Sequence, residues 1–292
     1  MENLRGIALM VASMAGFALA DMFIKGVSHA VPVGLVLLVL GLGGSLGFAA
    51  LALARGEAPL GRDLFSPLIM LRNLGEMIGT FGFVTALALT PLASASAIIQ
   101  AMPLAITLGA ALFMGEPVGW RRWSAIIVGF AGVLMVIRPG LDGFQPASLF
   151  AVLAVFGLSL RDLATRAAPD AISPLRLSFY GFLTLVPSSL LLLAFDPVTQ
   201  LPSPPQWTAL AGAVVLDGAG YYALTLAMRT GDVSVIAPFR YSRILFAMLI
   251  GAAVFSELPD LWTVAGAAMI VASGLYGLMR ERRQRNGMHP LS

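Results

Sequence analysis

Four charged residues stand where charge is costly. Glu76, Asp217, Arg240 and Arg243 each lie well inside long apolar stretches. Charge at mid-bilayer depth costs at least about 2.5–3.5 kcal/mol on insertion scales, so it persists where it is paired or faces a wet cavity. Glu76 lies about nine residues into its stretch, roughly 14 Å by helix rise, and Asp217 sits at a similar depth in a later one. Arg240 and Arg243 fall about seven to ten residues into another. A guanidinium holds a carboxylate through its planar fork, and a carboxylate holds an ammonium. The set therefore suits a zwitterion such as an amino acid. Two other uses stay open: Arg240 or Arg243 neutralises Glu76 or Asp217 as a structural pair, or one of these carboxylates carries a coupling proton. Arg72 stands four residues before Glu76 on the same helical face and competes for it.

Polar and aromatic side chains accompany these charges. Tyr221 follows Asp217 by four residues and shares its face; Gln100, Tyr241 and Phe17 fall at comparable depth. These are expected to border a substrate site with the four charges. Asp21 and Lys25, and likewise Asp162 and Arg166, are spaced i,i+4 near segment ends, which suits local salt bridges or gate contacts. Arg161 lies near a segment end and can snorkel to the interface. Glu116 and Glu257 stand beside loop prolines, a structural setting.

Other chemistries lack their residues. There are no cysteines, and the two histidines, His29 and His289, lie in a loop and in the tail, so no thiol or histidine metal cluster can assemble. No Walker loop and no nucleophile elbow occurs. Neither an enzyme nor an ATP-driven pump is expected, and no cofactor. No basic–aromatic patch suits nucleic acid. The expected partners are a small-molecule substrate and the lipid bilayer.

The elements that position these residues are membrane helices. The chain of 292 residues is 58% hydrophobic and 11% charged, where soluble domains carry roughly 25% charge. Apolar segments recur at about 4–24, 32–54, 67–88, 92–114, 121–138, 147–167, 173–195, 206–228, 233–254 and 260–280. Each suits a helix of about 20 residues, the length that spans a bilayer, and none alternates as barrel strands do. Separators such as Gly56-Glu57-Ala58-Pro59, Gly115-Glu116-Pro117 and Arg138-Pro139-Gly140 end helices for steric reasons. With the N-terminus inside, the inner loops and tail hold twelve Lys/Arg and the outer loops only Lys25 and Arg138. The positive-inside rule then predicts both termini in the cytoplasm and a multi-pass protein of the cell (inner) membrane. The expected fold class is all-α integral membrane.

A shift of 141 residues superposes the chain on itself. Asp21 meets Asp162, Lys25 meets Arg166, Glu76 meets Asp217 and Glu116 meets Glu257. Gly16 meets Gly157 and Gly79 meets Gly220. One inserted residue, Leu258, moves the shift to 142, after which Trp120 meets Trp262. With fifteen acidic residues in the chain, four coincidences of sign at one offset indicate duplication. The repeats are expected over 1–140 and 141–292, the second ending in a short basic tail. Each holds five helices, an odd number, so the second enters from the opposite side. Inverted repeats of this kind place a substrate site at their interface near the midplane. Ala18-Leu19-Ala20 resembles a signal-peptide cleavage site, but the repeat uses Asp21 as part of a retained helix.

Ten helices in a 5+5 inverted repeat, with Phe83–Ala93, Gln100-Ala101-Met102-Pro103-Leu104, Gly115-Glu116-Pro117, the stretch from Trp120 to Gly140, and Ile236-Ala237-Pro238-Phe239-Arg240-Tyr241, resemble the drug/metabolite transporter superfamily, EamA type. The resemblance covers essentially the whole chain. It implies a secondary carrier that exports or exchanges small metabolites, commonly amino acids, with nucleotide-like cofactors, vitamins and cationic drugs among the alternatives. A channel-like or scaffold membrane protein is the alternative of another class. The resemblance also assigns the fifth and tenth segments to a scaffold or dimer side. Gly43-x-x-x-Gly47 and Ser273-x-x-x-Gly277 allow close helix approach, and through it a homodimer. Pro103 and Pro238 are expected as flex points.

Overall fold

The computed structural model describes residues 2–115, 119–141, 143–169, 171–198, 200–230 and 233–287. Glu116, Pro117 and His289 lie outside the described residues. The first repeat forms α1 (Glu2–Val27), α2 (Val33–Ala54), α3 (Pro67–Leu89), α4 (Leu92–Ile99), α5 (Met102–Phe113) and α6 (Trp120–Ile137). The second forms α7 (Ser148–Ala167), α8 (Pro174–Phe195), α9 (Pro204–Arg229), α10 (Val233–Ile236), α11 (Ser242–Phe255) and α12 (Leu261–Gly287). These elements make ten membrane segments, because α4 with α5 is one interrupted segment and α10 with α11 another.

The helix ends follow local chemistry. Proline opens α3, α8 and α9, where its missing N–H costs nothing. The Gln206 side chain caps α9 by accepting the Ser203 N–H at 2.7 Å. Helix α6 stops where Arg138 turns left-handed at φ 54°, just before Pro139-Gly140. The segment ends agree with the sequence reading to within three residues, except that α12 runs on through the basic tail to Gly287.

The two interruptions occupy equivalent places in the repeats. Gln100 and Ala101 form a turn, followed by Pro103, which has no N–H to offer the Ile99 carbonyl. At the matching depth, Ala237–Tyr241 tightens into a 3₁₀ helix around Pro238. Gln100 Nε2 donates to the Arg240 carbonyl at 3.0 Å, so each broken segment leans on the other.

Packing joins the halves rather than closing each upon itself. Helix α1 lies on α9, α3 on α7, α2 on α8 and α6 on α12. Under the repeat, α1 corresponds to α7 and α9 to α3, so the first two contacts are one interface built twice. Each is centred on a glycine pair. A Cβ on Gly16 would lie 3.6 Å from the Gly220 Cα, and one on Gly157 would lie 2.7 Å from the Gly79 Cα. Ser13 Oγ also donates to the Gly220 carbonyl at 2.6 Å. Gly132 and Gly266 do the same for α6 and α12, where a Cβ on Gly132 would meet the Gly266 carbonyl at 2.7 Å. Of the small residues expected at a dimer face, Gly43 is used within the chain, 2.6 Å from Val214 by the same measure.

The apolar core lies between helices, while Leu46, Ile127, Leu134, Leu191 and Leu249 stand exposed on the exterior. In water such a surface would aggregate; against lipid it is the expected exterior. Among the described residues, eight segments are long and apolar enough to cross a membrane by composition. The two not among them, α3 and α9, carry Glu76 and Asp217 in mid-helix.

Candidate functional site

Where the two repeats meet, about 1260 Å³ is free of atoms, part of it open to solvent. Helix α1 contributes Phe17 and Asp21, α3 contributes Arg72, Glu76 and Thr80, and the break after α4 contributes Gln100. From the second half come Arg161 of α7, Ser178 and Gly181 of α8, Asp217 and Tyr221 of α9, and Arg240, Tyr241 and Arg243 beside the 3₁₀ turn. Among the described residues, α6 and α12 contribute nothing to the wall; they pair with each other to one side. All eight residues expected to meet a substrate line this one cavity. Lys25, Asp162 and Arg166 do not line it, whereas Asp21 does.

The ion pairs differ from those that sequence spacing suggests. Asp21 pairs with Arg243, 222 positions away, whose terminal nitrogen donates to both carboxylate oxygens at 3.0 and 2.7 Å while Nε donates at 3.2 Å. The Arg243 guanidinium also lies 5.2 Å from the Phe17 ring centroid and 5.0 Å from that of Phe83. A fork bonded at its tip and stacked on its faces is held in one orientation. Lys25 turns to Glu257 at 2.9 Å, and Asp162 takes the neighbouring Arg161 at 2.8 Å. Neither Asp21 nor Lys25 keeps the i,i+4 partner, because groups from the other half lie within reach and offer more bonds.

Glu76 is held from three sides. Arg72 and Arg161 approach its two oxygens at 3.2 Å each, and Thr80 Oγ1 donates at 3.2 Å. Gly181 makes room for this cluster, since a Cβ there would lie 2.8 Å from an Arg72 nitrogen and 3.0 Å from a Glu76 oxygen. The Tyr241 ring borders the cavity, but its hydroxyl is buried against Gly274 of α12 and has no partner among the described residues. Tyr221 meets Phe48 edge-on at 5.7 Å. Tyr180, fully buried, serves the connection between α2 and α3: it donates to Asp63 at 3.0 Å and accepts from the Gly61 N–H at 2.9 Å. Thr80 and Gly181 escaped the sequence reading, which weighed charges and aromatic residues by depth and had no signal for a glycine that clears space.

The two ends of the cavity are built differently. Near the end of α1, Lys25 is buried and donates to the Thr90 carbonyl at 2.6 Å as well as pairing with Glu257. The other Glu257 oxygen accepts the Leu92 N–H at 2.9 Å. One ion pair thus satisfies the last turn of α3 and the first turn of α4. At the opposite end a second hollow, bordered by Arg55, Glu57, Ser173 and Tyr222, shares Ser178 and Tyr221 with the main cavity.

A charged, aromatic cavity between inverted repeats has parallels among known proteins. The EamA-like transporter family profile matches residues 4–138 and again 145–278. A riboflavin transporter of Vibrio cholerae is 32% identical over 74% of either chain. An S-adenosylmethionine uptake transporter of Rickettsia felis is 27% identical over 75% of this chain and 74% of its own. A pseudopaline exporter of Pseudomonas aeruginosa is 26% identical over 92% of this chain and 94% of its own. A solved crystal structure, 22% identical, superposes with a TM-score of 0.63 over 94% of this chain and 98% of its own, which supports the fold. With both of its repeats matched, this chain belongs to the EamA-like transporter family and is a multi-pass membrane transporter.

Proposed function

We propose that the transporter is an alternating-access carrier of polar metabolites of vitamin or cofactor size, bound in the cavity between the repeats. The observation that carries this reading is the cavity itself. Its wall combines charge with the aromatic faces of Phe17, Tyr221 and Tyr241, which suits a ring system bearing polar groups. Relatives named for riboflavin, S-adenosylmethionine and pseudopaline support the larger class over the amino-acid reading. The proposed wall comprises Phe17, Glu76, Gln100, Asp217, Tyr221, Arg240, Tyr241 and Arg243. The termini are placed in the cytoplasm of the inner membrane, as the basic-residue bias supports.

Counterflow in proteoliposomes tests the reading. Preloaded unlabelled compound should accelerate entry of labelled riboflavin or S-adenosylmethionine, as a carrier requires and a channel does not. Exchange of labelled phenylalanine or alanine with neither larger compound would restore the amino-acid reading. Flux without trans-stimulation would point to a channel.

A further inference from the structure

The charges that line the cavity divide into two groups. Asp21 with Arg243, and Glu76 with Arg72 and Arg161, satisfy one another. Asp217 and Arg240 both line the cavity, and among the described residues neither side chain has a hydrogen bond or an ion pair, with each other or with a neighbour. Carboxylates and guanidiniums in a membrane domain ordinarily find partners.

The repeat explains how these two came to be left over. Glu76 and Asp217 are equivalent positions, but the partners of Glu76 are not duplicated: Arg72 corresponds to Ala213, and Arg161 to Ala20. The second carboxylate therefore has no guanidinium where the first has two. On the cation side, Arg240 and Arg243 correspond to Ile99 and Met102, so both guanidiniums are additions of the second half. Asp21 occupies Arg243. Arg240 remains, its backbone held by Gln100 in the 3₁₀ turn after Pro238.

We infer that Asp217 and Arg240 are the two electrostatic anchors for substrate, and that the paired charges form the rigid wall around them. This deepens the proposed carrier function and rests on it. The substrate class follows from the pair. One part of the molecule carries a cation or a hydrogen-bond donor for Asp217. A separate part carries an anion or an acceptor for Arg240, whose fork suits two oxygens or an oxygen–nitrogen edge. A dipolar metabolite bridges both anchors, and a purely cationic or purely anionic one engages only one.

The test has two arms. In proteoliposomes, the probe is whichever of riboflavin, S-adenosylmethionine and phenylalanine the wild type exchanges. Asp217→Asn and Arg240→Gln should each raise KM roughly tenfold or more, the loss expected for one charge-assisted hydrogen bond. Asp217→Glu and Arg240→Lys should recover part of it. The second arm needs no substrate. The chain has no cysteine, so Tyr221→Cys supplies a single thiol beside the anchors. Its modification by anionic sulfonatoethyl methanethiosulfonate, relative to the cationic trimethylammonioethyl reagent, should fall severalfold with Arg240→Gln and rise severalfold with Asp217→Asn. Unchanged reagent ratios would mean that neighbours already neutralise both charges, and would overturn the inference. So would unchanged KM values in a carrier that still exchanges its probe. Failure of all three probes would count against the proposed substrates, while the reagent ratios still decide the anchors.

Discussion

The two ends of the cavity are held by different kinds of contact. At the Lys25 end, one buried ion pair with Glu257 also satisfies backbone groups of α3 and α4, so four chain segments meet at two side chains. At the Arg55 end, a guanidinium donates to the Tyr222 hydroxyl at 2.6 Å and lies 5.6 Å from its ring centroid, at the exposed surface. Buried, shared contacts cost much to break, whereas exposed ones exchange readily with water. On the proposed carrier reading, the difference makes the Lys25 end the costlier one to open.

Breaking the buried contact should have the largest effect. Lys25→Met leaves one Glu257 oxygen and the Thr90 carbonyl without the ammonium that now meets them. It should destabilise the clasped state by about 3–5 kcal/mol, seen as a lower Tm, and should raise labelling of Phe17→Cys by an impermeant maleimide from that face. The exchanged pair Lys25→Glu with Glu257→Lys should restore only part of the stability, because the backbone contacts of both residues are then reversed in sign.

A smaller effect is expected from the helix breaks. Pro103→Ala and Pro238→Ala each allow a more continuous helix, and should slow exchange several-fold while leaving equilibrium binding of the exchanged compound within about threefold; stopped-flow flux against binding titration separates the two. Smaller again, Arg55→Ala removes one exposed hydrogen bond and one ring contact, worth about 0.5–1 kcal/mol each. It should raise labelling at the Arg55 face slightly and leave the Lys25 face unchanged. Reversal of that asymmetry would undo the comparison.

The smallest effect concerns the exposed pair of Arg138 with Asp260, just before α12. Partial burial pushes the Asp260 carboxyl up, but the Thr263 N–H and Arg138 outweigh it and hold the group below its ordinary range. A depressed carboxylate adds stability above its unfolded pKa and loses it as pH falls through the folded value. Asp260→Asn should therefore reduce stability at neutral pH by less than about 1 kcal/mol, seen as a slightly lower Tm, and the gap from wild type should close in strong acid.

Much of this molecule is legible in its sequence because the bilayer allows so few solutions. Segment lengths and the Pro/Gly separators fix ten spans to within a few residues. Glu76 matching Asp217, and the glycines matching each other, disclose the inverted repeat. The choice of partner is less legible. Spacing assigns Asp21 to Lys25, yet Arg243 is better placed, and only the crossing of α1 with the second half brings it there. Gln100 is visible as a polar residue at depth, but its role in holding the Arg240 carbonyl depends on two helix breaks meeting. The breaks themselves are half legible: Pro103 and Pro238 announce lost hydrogen bonds, not the 3₁₀ turn that follows. Substrate size is not legible at all, since cavity volume depends on which side chains fold against each other and which, as at Gly181, are absent.

The glycine crossings carry a mechanical consequence. Ordinary helices interlock through side chains, and tilting one past another means lifting ridges out of grooves. Gly16 against Gly220, and Gly79 against Gly157, meet backbone to backbone, with Phe17 and Leu158 the side chains nearest the two gaps. Each crossing can act as a bearing on which one helix turns over another at little cost. In the alternating access proposed above, two bearings related by the repeat would define a line through the molecule, and rotation about that line would widen one mouth of the cavity while narrowing the other.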